Sequence, residues 1–154
     1  MITIEINDAQ VNAAFARISE HLTDLSDLMN EVGIFLVAST EQRFKDTEAP
    51  DGSKWAPRSA TTIKRYGRKG QSFGPVLHKT FELSNNTRHQ YDAGSVTIGT
   101  DLPQSAMMQF GGTKAKWPHL WGNIPARPFI GLSDSDRTNV LDTVAEWLAD
   151  IAAQ

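Results

Sequence analysis

The 154-residue chain contains no cysteine. Disulfides and thiolate chemistry are excluded, and the fold must rest on its core alone. Long apolar runs are missing too. The densest, residues 32–38, contains Gly33 and falls far short of the roughly 20 residues a membrane-spanning helix needs. Residues 1–6 have neither the basic start nor the apolar stretch of a secretory leader, and with no cysteine the chain is expected to be synthesised in the cytoplasm, with no membrane partner. Histidine is scarce. His21, His78, His89 and His119 are scattered, and none falls in an H-x-x-x-H or H-E-x-x-H spacing that would hold a metal. There is no G-x-S-x-G nucleophile turn, and residues 67–70 lack the spacing of a phosphate-binding loop. The expectation is a protein without enzymatic activity, metal or cofactor.

Net charge is low as well, at −3, but that value conceals segregation. Residues 1–51 carry ten acids and three bases. Residues 52–79 carry Lys54, Arg58, Lys64, Arg65, Arg68, Lys69 and Lys79 and no acid at all. A globally basic nucleic-acid binder is not indicated, yet a local basic feature is. Residues 58–75 are polar, basic and punctuated by glycine, with Tyr66 and Phe73 interleaved, and they read as a long flexible loop. Lys64, Arg65, Arg68 and Lys69 could face phosphates, with Tyr66 stacking on a base. A solvated loop, or one docking on an acidic neighbour, fits the same residues.

A chain of this length suits one domain, residues 1–154, with its own core. Ile2, Ile4 and Ile6 alternate with polar residues, the period of a half-buried strand, and Asn7 or Asp8 can cap a following helix. Val11, Phe15, Ile18, Leu22, Leu25, Met29, Val32 and Leu36 recur at helical steps, as one long helix or as two divided near residues 23–26. Residues 32–38 should be its most buried part, and it should end before Pro50. Asp51-Gly52 marks a turn, and a short helical turn fits residues 77–83. Residues 88–91 and 95–100 flank Asp92-Ala93-Gly94 as a β-hairpin. Residues 105–110 form a short helical segment closed by Gly111-Gly112. Ser133 and Asp136 start a final helix whose apolar face is Val140, Leu141, Val144, Leu148 and Ile151, with Trp147 beside it. The fold class is α+β: helices at both ends packed on a small, mostly antiparallel sheet.

The most specific segment is residues 123–133. Pro125 and Pro128 hold it extended and deny two hydrogen-bond donors, leaving an edge strand or a docked arm. Arg127 sits between the prolines, and Phe129, Ile130 and Leu132 follow as anchors. The segment can serve as a plain edge strand or as a recognition element. Three loop tryptophans, Trp55, Trp117 and Trp121, either fold back on the domain or reach a partner, since Trp and Arg are favoured interface anchors.

Taken in order, several short motifs resemble the phage virion morphogenesis family, the tail-completion and head–tail joining proteins of Mu-like contractile-tailed phages. The motifs are Phe44 with Pro50, Gly52 and Trp55; Leu77, Thr80 and Leu83; Val96, Ile98, Gly99 and Thr100; Gln109 to Gly112; and residues 124–133. Each alone is weak and the set is specific, covering the chain from Phe44 onward. Phe81 stands where the family often has Gly, and Met108 where it often has His. The resemblance implies a structural subunit of the virion tail or neck that joins copies of itself in a ring and meets tail-tube or neck proteins, with a transient DNA contact possible for a neck protein. Interface candidates are then Trp55, Gln109, Phe110, Trp117, Trp121, Arg127 and Phe129. The alternative reading is a small nucleic-acid-binding module using residues 58–73.

Overall fold

The computed structural model describes residues 9–70, 74–78, 80–120 and 122–153. The strand expected over residues 2–6, its capping Asn7 or Asp8, and the side chains of Phe73, Lys79 and Trp121 lie outside the described residues. Helix α1 spans Ala9–His21 and α2 spans Ser26–Asp46. The break falls where the weak helix formers stand. Thr23 Oγ1 donates to Glu20 O at 2.6 Å, and Asp24 Oδ1 accepts from the Ser26 N–H at 2.9 Å, so both side chains serve backbone groups at the helix ends. Helix α2 stops at Thr47, whose φ of 55° is left-handed, well ahead of Pro50.

The hairpin follows the sequence closely. Strands β1 (Arg88–Tyr91) and β2 (Val96–Gly99) pair antiparallel, with His89 opposite Ile98 and Tyr91 opposite Val96. Asp92 Oδ1 accepts from the N–H groups of Gly94 and Ser95, each at 2.8 Å, and tightens the turn. Helix α2 crosses the face that carries His89 and Val96 at Gly33. A Cβ there would stand 2.3 Å from the His89 ring, so only glycine permits the approach.

Helix α6, Asp134–Ala153, opens with the reciprocal cap that Ser133 and Asp136 predict: the Ser133 N–H donates to Asp136 Oδ2 at 2.8 Å and the Asp136 N–H to Ser133 Oγ at 3.0 Å. Its Val140, Val144 and Trp147 pack with Leu28, Val32 and Leu36 of α2 and with Val96 and Ile98, forming one core. A second core gathers Phe44, Ala49, Trp55, Leu83 and Phe129. Two details depart from expectation. Residues 32–38 are not buried all round, since Ile34 is 57% exposed, and Leu141 lies outside the helix's packed face at 68% exposure.

The largest correction concerns the basic segment. Residues Ala60–Arg68 form helix α3 rather than part of a loop over residues 58–75. Ser59 caps it, accepting from the Thr62 N–H, and Ile63 and Tyr66 give it the one apolar face a nine-residue helix needs. Short helices α4 (Glu82–Asn85) and α5 (Ser105–Phe110) complete the described elements. Phe81 precedes α4 with φ of 59°, the left-handed region in which glycine is at ease, so the turn keeps a glycine-like backbone without the glycine. Of the two readings of residues 123–133, the docked arm holds: among the described residues the segment forms no strand, only an isolated bridge between Gly112 and Ile124.

Candidate assembly interface

The quoted motifs converge on one place. Turn residues Asp51 and Gly52 fold the chain back so that Trp55 comes under the end of α2, with the Trp55 N–H donating to Thr47 O at 3.0 Å. Its ring meets Phe44 edge-on at 5.4 Å, and Phe129 tilts against Phe44 at 5.2 Å. Aromatic pairs at such distances gain energy beyond area burial. Trp55 Nε1 donates to Pro128 O at 2.7 Å, taking up a carbonyl from a segment whose prolines prevent a regular ladder.

From the other side, the Gln109 amide of α5 acts as a substitute strand. Its Oε1 accepts from the N–H groups of Phe129 and Ile130 at 2.9 and 3.1 Å, and its Nε2 donates to Ile130 O at 2.8 Å. The Arg127 N–H donates to Met108 O at 2.7 Å, a backbone contact that needs no histidine at position 108. Gly111, at φ 69°, must be glycine, because a Cβ would stand 2.6 Å from the Ala126 nitrogen.

An ion pair closes the arm. Arg43 Nη1 donates to Phe129 O and Gly131 O at 3.1 and 2.8 Å, while its Nη2 pairs with Asp136. Ser39 Oγ donates to Asp136 Oδ1 at 2.5 Å. Burial pushes the Asp136 carboxyl up, but hydrogen bonds from Ser39 and Ser133, together with the Arg43 charge, hold it below the ordinary carboxylate value. The Phe44–Arg43 end of α2, the arm and the α6 cap thus form one fully bonded unit.

Four of the seven interface candidates therefore face the interior. Phe129 is fully buried, Trp55 and Arg127 nearly so, and Gln109 spends its amide on the arm. The Arg127 guanidinium, an interface candidate, donates to Ala56 O at 2.8 Å and Pro57 O at 3.0 Å within the same chain. Phe110 and Trp117 do face outward, Phe110 at 77% exposure. They line a recess of about 550 Å³ with Pro125 and Lys116. Lys64, Arg65 and Arg68 of α3 and Lys69 just after it are exposed, but Tyr66 is buried, with Arg58 and Arg65 each 6.0 Å from its ring, so it is not free to stack on a base.

Two further surfaces were missed in the sequence, because a periodic apolar residue reads as core whether or not anything covers it. One is α1, which has no buried residue and leaves Phe15 66% exposed. The other is an apolar groove of about 580 Å³ between α2, β2 and α6, reaching Leu132 and Leu141. Among the described residues no cluster of His, Asp or Glu could hold a metal ion, and no helix is long and apolar enough to cross a membrane.

Comparison with known proteins agrees with the motifs and extends them toward the N-terminus. A Haemophilus influenzae protein described as Mu-like prophage FluMu G protein 2 is 26% identical over 148 residues, 96% of each chain. Protein G of Escherichia phage Mu, whose name assigns it provisionally to capsid assembly, is 29% identical over 110 residues, 71% of this chain and 70% of its own. No solved structure matches. The model of the phage virion morphogenesis family matches residues 6–149, well beyond the motifs that build the buried unit, and the chain belongs to that family.

Proposed function

We propose that the chain is a non-enzymatic structural subunit acting in tail completion or head–tail joining during phage assembly, within the virion tail or neck. Family membership supports an assembly role. The observation that carries the structural reading is a rigid interior unit carrying large apolar side chains on its outer surface, Phe110 and Trp117 foremost. Exposed aromatics beside a recess are what a subunit interface requires. The partners in this reading are copies of the same chain in a ring, together with tail-tube or neck proteins.

The test is to disable the gene in the phage or prophage that carries it and view the induced lysate by electron microscopy. DNA-filled heads and separate, unjoined tails are the expected outcome, restored by the gene supplied in trans. Complete infectious particles without the protein would overturn the proposal.

The basic face of α3 supports a second reading, contact with DNA. Affinity falling steeply with salt would favour it, because phosphate contacts release counterions. Burial of Tyr66 removes the stacking component from that reading.

A further inference from the structure

We propose that the arginine-lined cavity between α3 and the arm of one copy receives the acidic row of helix α6 of a second copy, with a carboxylate of that row meeting Arg127 and Arg65. The inference rests on the reading of the chain as an assembly subunit and names a contact that links its copies.

The cavity has a volume of about 580 Å³. Its walls include the apolar Leu77 and Met108, and three arginines, Arg58, Arg65 and Arg127, line it against one acid, Glu82. Arg127 is only 7% exposed. Its Nε and Nη2 serve Ala56 O and Pro57 O, whereas Nη1 makes no hydrogen bond among the described residues and is not sealed from solvent. The described ion pairs are Arg43 with Asp136 and Lys54 with Glu48, so no carboxylate among the described residues neutralises Arg127 or Arg65. A buried charge without a counter-ion is costly. Burial, and then the Arg58 charge, lower the Arg127 pKa from its ordinary value, which is that cost expressed as a weaker hold on the proton. A carboxylate entering the cavity relieves it, and apolar walls strengthen the pairing by keeping water out.

A matching surface lies elsewhere on the same chain. Asp142, Glu146 and Asp150 of α6 stand four apart and exposed, in one row about 12 Å long. None makes an ion pair among the described residues. Helix stability does not account for them. The C-terminal end of a helix carries partial negative charge, which acids there aggravate, and the last turn of α6 holds no base. Arg17 of α1 reaches Ala152 O at 3.1 Å but pairs with none of the three. Acids at the start of α2 have local work by comparison: Asp27 lies in its first turn and Asp24 accepts from the Ser26 N–H. Exposed Ala145 and Ala149 flank the α6 row and leave room for close approach. The row does not serve the cavity of its own copy, since α6 packs against α1 and α2 and no residue of these three helices lines the cavity. Contact between two different faces is head-to-tail, the kind that closes into a ring. A DNA backbone could meet the exposed Lys64 and Arg68, but it would leave a guanidinium as enclosed as Arg127 without a partner.

Arg65→Glu and Glu146→Lys each change an exposed side chain and should leave thermal unfolding as in the unmodified chain. In sedimentation equilibrium of the purified full-length protein, each should weaken self-association at least about tenfold. Arg88→Glu and Glu41→Lys, equal changes of charge elsewhere on the surface, should not. Mixed in equal amounts, Arg65→Glu and Glu146→Lys should associate again, because each copy supplies the half that the other lacks. Thr80→Trp fills the cavity from an exposed wall without altering its charge, and should also weaken association. An unmodified chain that stays monomeric, reversal variants that associate like the controls, or full association of Thr80→Trp overturns the proposal. So does loss of duplex DNA binding by Arg65→Glu at unchanged self-association, which would assign the charge of the cavity to phosphates. These readouts use purified protein, so their failure is separate from a failure of the virion phenotype.

Discussion

The arm at residues 124–131 and helix α1 are both rich in large apolar residues, yet the molecule treats them oppositely. In the arm, Phe129 is fully enclosed and each flanking carbonyl finds a donor from Trp55, Arg43 or Gln109. In α1, Phe15 and Val11 are exposed and no residue is buried. The most specific motifs thus encode the shape of the subunit, and the surfaces available to neighbours lie in plainer sequence. A motif rich in Arg, Phe and Pro is as well suited to closing a core around irregular backbone as to meeting a partner.

The comparison breaks most visibly at Phe129. Phe129→Ala should cost the isolated protein about 3–5 kcal/mol, by loss of buried area and the cavity left behind. Phe110→Ala should change stability by no more than about 0.5 kcal/mol. Equal effects on chemical denaturation would erase the distinction between interior motif and outer surface. Asp136→Ala should come next. It strands the buried Arg43 guanidinium and removes the α6 cap, at a cost of about 3 kcal/mol.

Gln109→Ala should cost about 1–3 kcal/mol, because the N–H groups of Phe129 and Ile130 lose their acceptor. Hydrogen exchange at those two amides should rise more than at α6. Uniform change across the molecule would contradict the assignment of the amide to the arm.

A pH series sharpens the same boundary. His78 is stacked between Phe44 and Phe81 at ring distances of 6.1 and 5.0 Å. Burial, and then the Arg58 charge, lower its pKa from the ordinary 6.5. The folded form stays neutral while the unfolded chain takes up a proton. Stability should therefore be full above about pH 6.5 and decline as pH falls toward the folded value. Asp136, lowered from 3.8, adds a second decline below about pH 4. Thermal midpoints at successive pH values check both, and His78→Asn should flatten the first alone.

A small effect of opposite sign is expected at Phe81. Phe81→Gly relieves a left-handed backbone and loses only a half-exposed ring, so a gain of about 0.5–1 kcal/mol is expected. A loss would mean that the stack on His78 outweighs the strain.

Local signals were legible in the sequence and distant ones were not. The Ser133–Asp136 cap, the Asp92 turn and the Gly-closed helix α5 each depend on residues within a few positions of one another. The place of the break between α1 and α2 was visible as a weakness in helix formers near residues 23–26, although one continuous helix fitted the same pattern. Helix α3 was missed because it is short and basic, followed by glycine at 70, and its apolar face consists of Ile63 and Tyr66 alone. The fate of the arm was unreadable for another reason. Arg127 finds its acceptors at Ala56 and Pro57, 71 and 70 residues away, and nothing near Arg127 announces them. Nor does periodicity reveal that the apolar face of α1 stays uncovered.

The most direct test is complementation of virion assembly by Phe110→Asp, with thermal unfolding of the purified variant measured alongside. Phe110 adjoins the buried motif unit and points outward, so it separates surface from interior within one short segment. The account predicts native unfolding with few or no complete particles. Normal particle yield, or a variant that no longer folds, would contradict it.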